Sequence, residues 1–145
     1  MNASLADQNW FQKGLFAATG PELLAECRTL GGCPTGEAKI TKGYRLPARY
    51  VIHAVGPRWR GGSSGEPEAL ASCYRKSLEL AEAKGLRTLA FPAISCGIYG
   101  YPLEEAAQIA VREIRFFLSA HPSSFTKIYL VAFGADVQKV YNAQL

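Results

Sequence analysis

Apolar positions recur every three to four residues in several stretches of the chain. Over 66–84, Leu70, Cys73, Tyr74, Leu78 and Ala81 share one face of a helix, and Gly85 stands where a C-terminal cap belongs. Over 102–120, Ala106, Ala110, Ile114 and Phe117 form a second stripe. Pro102 opens that helix, Glu104 and Glu105 suit the positive end of its dipole, and His121-Pro122 breaks it. An earlier helix starts at Gly20-Pro21, buries Leu23, Leu24, Cys27 and Leu30, and stops at Gly31-Gly32. A short helix, about 135–143, closes the chain.

Between the helices the period changes. Residues 48–55, 89–94 and 127–133 are near-continuous apolar runs, the pattern of strands covered on both faces. Strands alternating with helices of this length predict an α/β fold with a mostly parallel sheet. Residues 33–44, with Gly36 and Gly43, read as a loop. Residues 58–65 read as a mobile basic loop in which Arg58 and Arg60 flank Trp59, a solvated connection rather than a ligand clamp. Residues 1–19 show no convincing strand. Trp10, Phe11, Leu15 and Phe16 suggest a helix from about Asp7.

The stretch 88–102, T-L-A-F-P-A-I-S-C-G-I-Y-G-Y-P, carries the candidate chemistry. A strand running into a glycine loop and then a helix N-terminus leaves backbone N–H groups free to face an anion. His53 lies within a strand and reads as a hydrogen-bonded core histidine rather than a general base.

With 145 residues, the chain is most simply one domain, 1–145, with a core of its own. A net charge of +4 suits an anionic ligand, but the basic residues are scattered, which argues against a nucleic-acid binder. No apolar run reaches the length of a membrane span, and the first ten residues lack the pattern of a secretory signal, so the expected location is cytoplasmic. Cys27, Cys33, Cys73 and Cys96 form no CxxC pair or zinc-spaced cluster. They read as reduced structural thiols, with no metal and no cofactor expected.

From Gly20 onward the chain resembles the MacroD-like macrodomains. The resemblance is carried by G-P-E-L-L-A-E-C from Gly20, by G-E-A-K-I-T-K-G-Y-R-L-P-A-R-Y-V-I-H-A-V-G-P from Gly36, and by F-P-A-I-S-C-G-I-Y-G-Y-P from Phe91. It implies a three-layer α/β/α sandwich. It also implies binding of ADP-ribose, O-acetyl-ADP-ribose or mono-ADP-ribosylated proteins, and in catalytic members hydrolytic removal of ADP-ribose or of its acetyl group. Carried across, Ser95, Cys96, Gly97, Ile98 and Gly100 fall in the loop that wraps the diphosphate, and Tyr99 packs on the distal ribose. Phe133 falls toward the adenine side; a plain core Phe is the other reading.

Upstream of Gly20 the chain departs from that pattern. The family's Asn-Ala-Ala-Asn segment survives only as Asn2, the candidate catalytic residue. Gln12 falls where a loop Asp belongs, and Asp7, Gln8, Asn9 and Trp10 replace glycines. The usual N-terminal strands are lacking, so 1–19 reads as a shortened or divergent segment before a family-like 20–145. One lost strand is expected between 88–94 and 127–133, leaving edges through which two copies could pair, unless the strands close up. Three readings stay open: a hydrolase, a catalytically impaired ADP-ribose reader, and a fragment without ligand function.

Overall fold

The computed structural model describes Asn2–Ala3 and residues 20–145; the helix expected from about Asp7 lies outside the described residues. Strand β1 (Asn2–Ala3) precedes helix α1 (Pro21–Thr29), which has Pro21 in its first turn and ends ahead of Gly31 and Gly32 at φ 70° and 88°. Two strands follow, β2 (Cys33–Pro34) and β3 (Ala38–Lys42), where the sequence reads as a loop. Tertiary pairing makes the difference. β3 lies antiparallel to β4 (Tyr50–Ala54), from Ala38 opposite Ala54 to Lys42 opposite Tyr50. β2 pairs antiparallel with β1, Asn2 opposite Pro34 and Ala3 opposite Cys33.

The long helices form where the stripes predict them. In α2 (Glu66–Ala83), Leu70, Cys73, Tyr74, Leu78 and Ala81 are all buried. In α3 (Leu103–Ala120), so are Ala106, Ala110, Ile114 and Phe117. They pack on each other and on β5 (Thr88–Phe91), where the Tyr74 and Phe91 rings meet at 5.0 Å. β6 (Lys127–Leu130) is followed by α4 (Ala135–Gln144), which buries Tyr141 in the same cluster.

The α/β class is as expected. Among the described residues, one ladder is parallel and two are antiparallel. The expected gap between the strands of 88–94 and 127–133 is not there: Thr88 pairs with Lys127 and Phe91 with Leu130, in parallel register. These strands are also less covered than their apolar runs predict. Ile128 and Leu130 pack toward α3 and α4, while Lys127 and Tyr129 face outward. Tyr50, Val51 and Ile52 of β4 are half-buried and only His53 is fully so. Among the described residues, the buried side chains form two clusters. The larger joins α2, α3, α4 and β5; the smaller holds Leu23, Cys27, Cys33 and Val55.

Candidate functional site

Because β5 and β6 are parallel, the segments after Phe91 and Leu130 leave from the same end of the pair. The loop after β4 reaches that end too. A Cβ placed on Gly56 would stand 2.7 Å from Ile94 Cγ2 and collide with Ser95 Oγ, so only glycine lets the two loops close. The Trp59 N–H then donates to the Tyr99 carbonyl at 2.8 Å. Ligand sites of open α/β sheets form at this end, beyond the carboxyl termini of the strands.

The loop from Ser95 to Tyr101 is folded back on itself. The Tyr101 N–H donates to the Ser95 carbonyl at 2.9 Å, and the Gly100 N–H to the Gly97 carbonyl at 3.0 Å. Gly100 sits at φ 70°, where a side chain is strained, and Ser95 occupies the left-handed region at φ 65° without being glycine. The N–H groups of Gly97, Ile98 and Tyr99 donate to no described residue. Gly97, Ile98 and Gly100 are exposed, and a Cβ on Gly97 would meet nothing within 4 Å. Successive N–H groups without a described partner, on an open loop before a helix, are free to face an anion. Two hydroxyls beside it, Ser95 Oγ and Tyr101 Oη, are buried with no hydrogen-bond partner among the described residues. Such orphaned groups are rare enough to mark a site.

The other expected residues take different places. Cys96 is half-buried with its Sγ 3.4 Å from the Ile94 carbonyl, and burial pushes its thiol up to about 11, so it is no nucleophile at neutral pH. Phe133 is 77% exposed just beyond β6, on the same end as the loop. The backbone of Asn2 lies opposite Pro34. Two residues on, the Gly36 N–H donates to the Val55 carbonyl at 2.8 Å, which ties this ladder to the end of β4. Asp7 and Gln12 lie outside the described residues. His53 is buried, with Thr41 Oγ1 2.9 Å from its Nε2 and Cys27 Sγ at 3.8 Å.

Sequence reasoning missed the wall beside the loop. The Arg58 guanidinium lies 4.9 Å from the Tyr99 ring centroid, and the Trp59 ring packs on Tyr101 at 4.7 Å. Residues 58–65, expected to be mobile, are instead gathered around one carboxylate. Glu66 accepts N–H groups from Arg60 at 2.9 Å, Gly62 at 2.7 Å and Ser64 at 2.7 Å. Burial pushes the Glu66 carboxyl up, but these bonds and its own N–H outweigh it and hold the group below the usual range. The signal in the sequence was the glutamate after an S-S-G turn, which also reads as an ordinary first-turn acid.

Fold and site together define an α/β protein with an open glycine loop at the carboxyl ends of its parallel strand pair. The sequence profile of the Macro domain family matches residues 1–110, and the chain belongs to that family. The match begins at residue 1 and so takes in the stretch set apart above. A macro domain-containing protein of Methanosarcina mazei is 60% identical over 119 residues, which are 82% of this chain and 63% of that protein. The Xenopus laevis protein named ADP-ribose glycohydrolase MACROD2 is 47% identical over 99% of this chain and 35% of its own length. The structure of a Trypanosoma brucei macrodomain in complex with ADP-ribose superposes with a TM-score of 0.89 at 41% identity, covering 98% of this chain and 59% of that one. The chain therefore spans under two thirds of each of these three proteins.

Proposed function

We propose that this protein binds ADP-ribose or a derivative, with the loop from Ser95 to Gly100 gripping the diphosphate. The observation that carries this is the run of N–H groups on Gly97, Ile98 and Tyr99, unpaired among the described residues, ahead of the α3 N-terminus. The Trypanosoma relative with ADP-ribose bound supports the choice of ligand. In this reading Ser95 offers its orphaned hydroxyl, Cys96 holds the turn, and the Tyr99 ring packs on the distal ribose. Phe133 lines the adenine side. The protein acts from the cytoplasm on O-acetyl-ADP-ribose or mono-ADP-ribosylated protein.

Titration calorimetry with ADP-ribose tests the binding. Gly97→Glu puts a carboxylate into the loop and is expected to abolish binding while the thermal midpoint stays within a few degrees. Unchanged affinity would refute the grip.

The likeness to a protein named as a glycohydrolase favours hydrolysis of the bound ligand, with Asn2 placing the attacking water. A second reading, a reader without turnover, is favoured by Gln12 standing where the resemblance puts a carboxylate. Losing a water-positioning or basic group costs about 10²–10⁴-fold in rate. Release of acetate from O-acetyl-ADP-ribose, abolished by Asn2→Ala, would establish the hydrolase. Tight binding without release would establish the reader.

A further inference from the structure

The loop of residues 58–65 is built more firmly than its composition requires. Its backbone is fastened from one side by the buried Glu66 carboxylate through the N–H groups of Arg60, Gly62 and Ser64. It is fastened from the other by the Trp59 N–H to the Tyr99 carbonyl and by the Trp59 ring on Tyr101. Gly62 allows this, since a Cβ there would stand 2.8 Å from the Trp59 ring. The result is a fixed rim along the glycine loop.

Two cations stand on that rim without an acidic partner among the described residues. Arg58 and Arg60 are exposed, and among the described residues neither guanidinium has a carboxylate within 4 Å. The acid nearest in sequence, Glu66, is occupied by backbone N–H groups, and the next, Glu68, pairs with Arg75 at 2.8 Å. Arg58 lies over Tyr99, the ring assigned above to the distal ribose, so it marks where anything attached to that ribose leaves the site. Free ADP-ribose has no group that extends past this point. A macromolecule carrying ADP-ribose does.

We propose that the rim of Arg58 and Arg60 docks the polypeptide part of the substrate, and that it selects acidic sequence around the modified residue. The inference rests on the loop of Ser95 to Gly100 being the ADP-ribose site. Charge complementarity favours acidic peptide, since two guanidinium forks two residues apart match carboxylates on neighbouring residues. Nucleic acid fits less well. The one aromatic of the rim, Trp59, is packed on Tyr101 and offers no stacking platform, and two cations are few for a phosphate backbone.

The test compares three probes by titration: ADP-ribose, a synthetic peptide carrying ADP-ribose through a non-hydrolysable linkage with glutamates on both sides, and the same peptide with glutamines. The acidic peptide is expected to bind about fivefold more tightly than the neutral one at low salt, the sum of two exposed charge pairs. That ratio should fall toward one in molar salt. Arg60→Glu, which leaves the rim with no net charge, should bring the ratio to about one and leave the affinity for ADP-ribose unchanged. Equal affinity for the two peptides, with ADP-ribose still bound, would overturn the docking rim and spare the ADP-ribose site. Failure of ADP-ribose itself to bind would overturn both. A tagged oligonucleotide binding more tightly than the acidic peptide would replace the inferred partner.

Discussion

At the scale of the residue, Ser95 carries the most information about the site. It holds a left-handed backbone at φ 65° and hides a hydroxyl without a described partner. The conformation costs an L-residue about 1–2 kcal/mol, and an unpaired buried hydroxyl about 1–3 kcal/mol. Gly97 and Gly100, two and five positions on, show that glycine is used freely in this loop, so serine at 95 is retained against its local cost. Ser95→Gly should therefore stabilise the protein by about 1 kcal/mol after the added chain entropy of glycine is subtracted. The same change should weaken ADP-ribose binding several-fold. A denaturant midpoint and a titration read the two effects; a variant that is both less stable and equally tight would contradict this account of Ser95.

At the scale of the element, the loop between β4 and α2 behaves as a unit because one side chain organises it. Glu66 both begins α2, where a negative charge suits the dipole, and closes the preceding turn through three N–H groups. Removing it leaves those donors unpaired and frees Trp59 to leave Tyr101. Glu66→Ala should speed amide exchange at Gly62 and Ser64 and weaken ADP-ribose binding, because the wall beside Tyr99 is no longer set before the ligand arrives. Glu66→Asp, one methylene shorter, should restore part of the loss. If exchange accelerates while affinity stays the same, the rim does not support the glycine loop. Both variants keep Arg58 and Arg60 and so the charge of the rim, whereas Arg60→Glu changes that charge and keeps Glu66, so the two effects are separable.

At the scale of the whole molecule, the core is divided. Among the described residues, the cluster around α2 and α3 is large, whereas the one beside α1 holds four buried apolar side chains. Next to the smaller cluster sits His53, whose burial lowers its pKa to about 4, with the charge of Glu26 opposing. Above the unfolded value near 6.5 neither state holds the extra proton, and the full stability is present. Between pH 6.5 and 4 the unfolded chain takes up a proton that the folded chain refuses, so stability falls with pH, by about 3 kcal/mol in all. Denaturant midpoints from pH 7 to 4 should show this slope, and His53→Gln should flatten it. An unchanged slope in the variant would assign acid sensitivity to other groups.

The helices were legible because each needs only its own residues: a stripe of period 3.6, a proline or acid at the start and, for α1 and α2, a glycine at the end place them to within a few positions. The glycine loop was legible for a similar reason, since its free N–H groups follow from a strand, two glycines and a helix start within one segment. What the sequence left open depends on partners far along the chain. β3 looks like a loop until β4 lies beside it, and β5 and β6 are neighbours although 35 residues separate Phe91 from Lys127. Only the tertiary structure could turn a polar run of arginines, glycines and serines into a rim, because the carboxylate that shapes it and the rings it packs on belong to other elements. Local pattern determined the helices and the glycine loop; contacts between distant segments decided the strand pairing, the surroundings of the two buried hydroxyls and the wall beside the loop.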